Sequence, residues 1–185
     1  MAKALVILAD GFEEIEATTA IDVLRRGGVE TVSASLSGEK TARGAHGISV
    51  LADASFKDVS DGDFDAIVLP GGGEGTENLR RSPELLDRLR RQRREGRLVC
   101  AICAAPVVLV DAGILEPEQH VTCYPACTVQ LDRKSAGVPV VSDGGVVTGE
   151  GPGASLLFAL VVLSSLAGET VARKIARNMV TDVFG

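Results

Sequence analysis

The sequence contains no tryptophan, and only six of its 185 residues are aromatic: five phenylalanines and one tyrosine. Its 19 lysines and arginines are outnumbered by 25 aspartates and glutamates, which leaves a net charge of −6. A protein that binds nucleic acid needs a basic surface, and it often uses aromatic side chains on which bases stack. Because both features are scarce in this chain, we exclude nucleic acid as a partner.

Long hydrophobic runs are absent as well. The longest apolar stretch, residues 156–166, contains two serines and is far shorter than the roughly 20 residues that cross a bilayer. The first apolar run, residues 4–9, is too short for the hydrophobic region of a signal peptide. We therefore expect no membrane association and a cytoplasmic location. Hydrophobic residues nevertheless make up 45% of the chain, which is enough to bury one core, so we predict a single domain over residues 1–185.

Short apolar runs alternate with longer stretches of helical periodicity. This alternation is typical of an α/β protein, and we predict a flavodoxin-like three-layer sandwich with a mostly parallel central sheet. Strands are predicted at residues 3–9, 29–36, 66–69, 97–103 and 120–124, with a hairpin of residues 138–141 and 146–148. Helices are predicted at residues 14–26, 83–94, 104–110, 154–166 and 169–178. In the first helix, Ile15, Thr19, Val23 and Leu24 recur at helical spacing.

Three segments follow predicted strands and should lie together at the carboxyl edge of the sheet, where such folds bind ligands: residues 10–16, 70–75 and 103–106. The glycine-rich segment matches neither common phosphate-binding motif. Four acidic residues in the first segment would repel a phosphate at the helix N-terminus. We therefore predict a site that is not built for a nucleotide.

Cys103 lies where a buried strand turns directly into a helix, a position typical of a nucleophile elbow. The amide groups of the turn and the positive end of the helix dipole favour a thiolate, so we expect a lowered pKa for Cys103. Cys100 lies within the strand and is expected to be a buried, inert thiol.

The remaining cysteines suggest neither a disulfide framework nor a metal site. Cys100 and Cys103 would point to opposite faces of a strand, and Cys123 and Cys127 show no zinc-knuckle spacing. We predict four thiols, no metal and no cofactor. Whether Cys123 is a redox partner of Cys103 stays open at this point.

Several segments together resemble the ThiJ/PfpI superfamily, and within it the branch of the parkinsonism-associated protein deglycase and its bacterial relatives. The matching segments are ALVILADGFEEIEATTAIDVLRRGG, LADAS, DAIVLPGGG, AICAAP, VTCYP and EGPGASLLFAL. They occur in the family's order and cover almost the whole chain. The resemblance implies that Cys103 is the reactive cysteine, that Glu16 is the carboxylic acid beside its sulfur, and that the amide groups of Gly72 and Ala104 form an oxyanion hole. It also implies a homodimer.

Physical chemistry supports this role for Glu16. A carboxyl group beside a thiolate in a partly dry pocket tends to keep its proton, and it can then exchange that proton with a substrate. Glu13 and Glu14 are expected to be solvated acids that favour the helix N-terminus.

The sequence departs from the family pattern in two respects. Many members of this branch have a histidine where Tyr124 stands, while His46 falls where some relatives have an arginine near the pocket of the other subunit. The protease branch has a histidine directly after the cysteine, and this chain has Ala104 there. Without a cysteine–histidine dyad, we do not expect a peptidase. His120 is expected to cap or pack rather than to take part in catalysis.

The resemblance implies a cofactor-independent glyoxalase or deglycase whose substrate is a small α-oxoaldehyde, such as methylglyoxal or glyoxal, or an early glycation adduct. The alternative is an oxidative-stress sensor or chaperone that uses the same reactive cysteine without turnover. Roles in amidotransfer or thiazole synthesis have no support beyond the superfamily name.

Overall fold

The structure of the protein is a computed structural model and describes residues 1–182. Its strands are β1 (Lys3–Leu8), β2 (Glu30–Ser35), β3 (Thr41–Arg43), β4 (Ser49–Leu51), β5 (Ala54–Ser55), β6 (Ala66–Leu69), β7 (Leu98–Ile102), β8 (Val140–Asp143) and β9 (Val146–Gly149). Its helices are α1 (Glu14–Arg26), α2 (Phe56–Val59), α3 (Gly73–Arg80), α4 (Pro83–Arg94), α5 (Pro106–Asp111), α6 (Ser155–Ala167) and α7 (Glu169–Asn178). Two short 3₁₀ helices span Pro125–Gln130 and Pro152–Ala154.

Seven strands form the central sheet in the order β5-β2-β1-β6-β7-β9-β8, and all neighbours are parallel except β8 and β9. Strands β3 and β4 form a separate antiparallel hairpin. The predicted α/β class and flavodoxin-like sheet are therefore confirmed. Among residues 1–182, no helix has both the length and the apolar character needed to cross a membrane.

The two faces of the sheet bury different sets of side chains. Alternate residues of β1 point to opposite sides, as the pleat of a strand requires. Ala4, Val6 and Leu8 pack in one cluster with residues of α1, α6 and α7, whereas Leu5 and Ile7 pack in another with residues of α4 and α5. Helices therefore cover both faces, which explains why β6 is apolar throughout and β1 is apolar from Ala4 onwards.

The turn between β8 and β9 shows how local sequence sets the topology. Gly144 and Gly145 both have positive φ angles, 53° and 78°. Two such residues in a two-residue connection are typical of a type I′ turn, whose twist matches that of the strands it joins. The predicted hairpin is thereby confirmed.

Two details of the predicted fold are wrong. Residues 120–124 form no strand, because their amide groups bond to separate partners instead of one neighbouring strand: the Thr122 amide donates to the Thr148 hydroxyl, and the Tyr124 amide donates to the Cys103 carbonyl. Ile15 does not belong to the buried face of α1. Its side chain is 55% exposed, and the face turned to the core carries Ala17, Ala20, Val23 and Leu24.

Candidate active site

The three segments predicted to meet at the carboxyl edge of the sheet do meet there. The Gly71 amide donates a hydrogen bond of 2.7 Å to Oε2 of Glu16, and the Glu13 amide donates one of 3.0 Å to the Gly71 carbonyl. A Cβ atom added to Gly71 would lie 2.7 Å from Cβ of Cys103, so the glycine lets this loop approach the cysteine closely. The segment after β6 thus lies between the acidic turn of α1 and the turn after β7.

Cys103 adopts a positive φ of 64°, an uncommon conformation for a residue with a side chain. Its amide donates to the Gly149 carbonyl at 2.9 Å, and its carbonyl accepts from the Tyr124 amide at 2.8 Å. These two bonds hold the strained turn from both sides. The geometry is that of the expected nucleophile elbow, with the thiol half-buried at the edge of the core.

The backbone amides of Gly72 and Ala104 lie near the Cys103 sulfur, where each lowers the pKa of the thiol. Gly72 can occupy its position only as glycine: its φ is 92°, and an added Cβ would overlap the Gly11 carbonyl oxygen. The two amides that the family resemblance implies for an oxyanion hole therefore both lie near the Cys103 sulfur.

Glu16 is only 1% exposed, and its carboxyl group faces the Cys103 thiol. Oε2 accepts the Gly71 amide, while Oε1 has no hydrogen-bond partner in the part of the chain that the structure describes. Burial raises the pKa of Glu16 to about 7, against the opposing effects of the Gly71 hydrogen bond and of the neighbouring Cys103 thiol. A carboxyl group with this pKa can give and take a proton near neutral pH.

The expectation of a lowered pKa for Cys103 is wrong. Burial, followed by the charge of Glu16 and its hydrogen bond, raises the pKa of Cys103 to about 12, and the amides of Gly72 and Ala104 offset this only in part. Cys103 and Glu16 are thus coupled, since the charge of Glu16 raises the pKa of the thiol. The thiolate forms when a proton lies on Glu16, since the carboxyl group is then neutral and can donate to the sulfur.

Glu13 and Glu14 are buried rather than solvated, which corrects the expectation from sequence. Oε1 of Glu13 caps α1 by accepting the Ile15 amide, at 3.5 Å. Glu14 accepts the His46 amide at 2.7 Å and lies 2.9 Å from Nδ1 of the same residue. These hydrogen bonds therefore hold the loop that precedes β4 against the N-terminus of α1.

His46 is exposed, and its imidazole interacts with the two acids rather than with Cys103. The hydrogen bond to Glu14, followed by the charges of Glu13 and Glu14, raises the pKa of His46. The donor atoms of these three residues lie within 4.8 Å of one another, so they are the one group among residues 1–182 with the composition and spacing to hold a metal ion. Their existing bonds to one another and to the backbone already account for the arrangement.

The other cysteines lie in different environments. Cys100 is fully buried in β7, where burial raises its pKa, as expected for an inert thiol. Cys123 packs with Val107, Val121 and Leu131, next to Cys127. The structure thus places Cys123 beside Cys127 in a cluster separate from the one that Cys103 joins.

Of the remaining residues singled out from the sequence, Tyr124 lies next to the elbow through its backbone, and its side chain is 46% exposed. His120 is exposed, and its backbone amide donates to the Asp143 carboxylate at 2.9 Å, beside the β8–β9 turn. Sequence reasoning missed Gly71, whose amide holds Glu16. The run of three glycines after Pro70 was the signal that a backbone must approach closely there.

Comparison with known proteins gives one consistent result. The profile of the DJ-1/PfpI family matches residues 2–165. Protein dj-1beta of Drosophila melanogaster is 38% identical over 180 residues, which cover 96% of this chain and 96% of the relative. The glutathione-independent glyoxalase DJR-1.2 of Caenorhabditis elegans is 36% identical over 174 residues, which cover 90% of this chain and 89% of that protein. The crystal structure of Drosophila melanogaster DJ-1beta superposes with a TM-score of 0.92 at 36% identity, covering 98% of each chain.

Proposed function

The chain belongs to the DJ-1/PfpI family, and from this premise we propose that it is a cofactor-independent enzyme acting on small 2-oxoaldehydes. Methylglyoxal and glyoxal are the proposed substrates, and early adducts of such aldehydes with amino groups are related ones. The observation that carries the proposal is the contact of a buried acid, Glu16, with the thiol of a strained elbow, Cys103, on which two backbone amides converge. A relative of nearly the same length is named a glutathione-independent glyoxalase, which supports the same reaction class.

The proposed reaction begins from the form in which Glu16 holds the proton and Cys103 is a thiolate. The sulfur attacks the aldehyde carbon of methylglyoxal, a carbon–sulfur bond forms, and the electron pair of the C=O bond moves to oxygen. The amides of Gly72 and Ala104 stabilise this oxyanion, a type of interaction worth about 2.7–4 kcal/mol per donor. Glu16 then gives its proton to the oxygen, and a hemithioacetal results.

The later steps use the carboxylate left on Glu16. It removes the proton from the former aldehyde carbon, which gives an enediolate, and returns a proton to the neighbouring carbon. The hydroxyl proton on the first carbon's oxygen passes to the oxygen of the second carbon, which leaves a thioester carbonyl. The first carbon is thereby oxidised by two electrons and the second is reduced by two, so no external oxidant or cofactor is needed. Water then attacks the thioester, Glu16 takes one proton of that water, and the carbon–sulfur bond breaks to give lactic acid, which ionises to lactate, and the Cys103 thiolate.

Two further residues have proposed supporting roles, one in substrate binding and one in positioning the α1 turn. Tyr124 lies beside the elbow, and its proposed role is to orient a substrate. His46 interacts with the acids of the α1 turn, so its proposed role is to position that turn rather than to transfer a proton to substrate.

The experiment that tests this function is incubation of the purified protein with methylglyoxal in the absence of glutathione and metal ions, with product identification by NMR. Lactate formed in proportion to protein concentration is the expected result. A protein that leaves methylglyoxal unchanged, yet suppresses the aggregation of an unfolded client protein, belongs to the alternative class.

That alternative, a redox sensor or chaperone, is favoured by one observation: the half-buried Cys103 sulfur has two amide donors and a neutral carboxyl group available to hold an oxidised sulfur. We expect mild hydrogen peroxide to add two oxygens to Cys103, each from one peroxide that leaves as water, while buried Cys100 stays reduced. Peptide mass spectrometry measures both residues. A bridge between Cys103 and Cys123 would identify a resolving cysteine instead, and equal oxidation of all four cysteines would refute a special environment for Cys103.

We also propose that the protein is a homodimer through the surface around the N-terminus of α1, and that it works in the cytoplasm. Ile15 and Ile48 are 55% and 58% exposed, and the Ile48 amide lies against Glu14. Exposed apolar side chains near a site often mark an interface.

Sedimentation is expected to give twice the 19.2 kDa chain mass, with Ile48→Glu shifting the protein towards monomer. Val129→Glu, at an exposed valine elsewhere, is the control, and a monomeric wild-type protein at micromolar concentration contradicts the proposal.

A further inference from the structure

A cavity of about 430 Å³ opens beside the turn that carries Cys103, and the steps of the proposed reaction do not use it. Most of its wall is apolar or backbone, and three prolines make it stiff. The lining residues are Tyr124, Pro125, Pro139, Glu150, Gly151, Pro152, Gly153 and Ala154.

Both sides of this cavity are attached to the backbone of Cys103. On one side, the Tyr124 amide donates to the Cys103 carbonyl at 2.8 Å. On the other side, the Cys103 amide donates to the carbonyl of Gly149, the residue before Glu150, at 2.9 Å. The two segments that line the cavity are therefore held against the backbone of the turn that carries Cys103.

The cavity contains one charged side chain, Glu150, which is half-buried. The Glu150 backbone amide donates to the Pro139 carbonyl at 2.9 Å, which fixes the segment. Its carboxylate, in contrast, forms no hydrogen bond or ion pair with any residue from 1 to 182. Its charge acts locally, because burial together with the charges of Cys127 and Glu150 raises the pKa of Cys123 to about 11. A negative charge that has no partner among the described residues thus lies in a mostly apolar cavity.

Tyr124 supplies an aromatic surface in the same cavity. Its ring lies over Gly151, where an added Cβ would be 3.4 Å from Cδ2, and almost half of the side chain remains open to solvent. An aromatic ring together with a carboxylate is a combination that attracts an organic cation, since the ring face and the acid both carry negative potential.

We propose that this cavity is a subsite that selects substrates carrying a cationic group, such as an ammonium or guanidinium group near the reacting carbonyl. The inference rests on the proposed function for its link to turnover, but not for the binding of the cation itself. It assigns Glu150 and Tyr124 as specificity-determining residues, and it identifies the substrate class as 2-oxoaldehydes or aldehyde adducts with a positively charged substituent.

Binding of the cation can be measured without any reaction. Because the chain has one tyrosine and no tryptophan, its intrinsic fluorescence reports Tyr124 alone. Titration of the full chain with phenyltrimethylammonium is expected to give a saturable change in that fluorescence, and benzenesulfonate is expected to give none. Glu150→Gln should weaken cation binding about tenfold. The matched control is Glu30→Gln. Glu30 is an exposed acid that pairs with Lys3, and it lies at the start of β2, at the amino ends of the parallel strands.

The link to turnover is tested with phenylglyoxal and its 4-trimethylammonium derivative. The wild-type ratio of kcat/KM is expected to favour the cationic substrate about tenfold, and Glu150→Gln is expected to bring the ratio close to one. Cation binding that is absent, equal in Glu150→Gln, or matched by benzenesulfonate overturns the inference, even if methylglyoxal is converted. Cation binding that depends on Glu150, in a protein that converts no aldehyde, supports the subsite and refutes the proposed function instead.

Discussion

Cys103→Ala is expected to lower the turnover of methylglyoxal by at least roughly 10³-fold, because the proposed reaction has no other nucleophile. Cys103→Ser should be nearly as inactive. A serine hydroxyl keeps its proton far more firmly than a thiol, and a carboxyl group with a pKa of about 7 cannot take that proton at neutral pH. Rates of lactate formation in the absence of glutathione measure the loss in both variants.

The control for this prediction is Cys100→Ala. Cys100 is fully buried in β7 and belongs to the core cluster on the α1/α6 side of the sheet, so its loss should cost about 1 kcal/mol of stability and little activity. If Cys103→Ala keeps a substantial part of wild-type turnover, or if Cys100→Ala loses as much, the assignment of the nucleophile is wrong.

Glu16→Gln is expected to stabilise the fold at pH 8 and to abolish turnover at the same time. Burial raises the pKa of Glu16 from its ordinary value of 4.5 to about 7, so the folded protein binds this proton more tightly than the unfolded chain does. The resulting stabilisation is complete below about pH 4.5 and is lost as the pH rises through about 7. Above pH 7, the folded protein therefore holds an ionised carboxylate in a buried site.

A glutamine has no such proton to lose. Its amide oxygen can still accept the Gly71 amide, and its NH₂ group can donate to the Cys103 sulfur. The free energy of unfolding of Glu16→Gln, relative to the wild type, is therefore expected to rise by about 3 kcal/mol between pH 4 and pH 8. Denaturant unfolding at a series of pH values measures this difference.

Glu14→Gln is the matched control, since Glu14 is also buried in the same turn but has its charge held by hydrogen bonds from His46 and Ile48. Burial acts against the charge, yet these bonds prevail and lower the pKa of Glu14. Glu14→Gln should therefore be destabilising at pH 8. If both variants stabilise the protein at pH 8, the loss of any negative charge from this turn explains the effect. If Glu16→Gln leaves the free energy of unfolding unchanged, the buried carboxylate of Glu16 does not destabilise the folded protein.

The elements of the fold follow closely from local sequence. Helices 14–26, 83–94 and 169–178 match their predicted bounds, because capping residues, prolines and glycines mark their ends. The segment 120–124 has the apolar and β-branched residues of a strand, but its amides are taken by Thr148 and Cys103. Those partners are far away in sequence, so no local pattern could indicate them.

The sequence predicted where the candidate site lies, but it did not predict the pKa of the Cys103 thiol. The positions of Cys103 and Gly72 follow from a strand that ends in a sharp turn and from a run of glycines. The raised pKa of Cys103 depends on burial and on the distance to Glu16, which only the tertiary structure sets. The link between Glu14 and His46 likewise joins residues 32 positions apart.

The most direct test of the coupled action of Cys103 and Glu16 is NMR analysis of the lactate formed from methylglyoxal in D₂O without glutathione. If Glu16 moves a proton through an enediol and that proton exchanges with solvent, the lactate should carry deuterium at C2 in the wild type, with no lactate formed by Cys103→Ala. Lactate that keeps hydrogen at C2, formed at the same rate by the wild type and by Glu16→Gln, would contradict the role of Glu16. No lactate from the wild type, or equal amounts from both proteins, would contradict the proposed function itself.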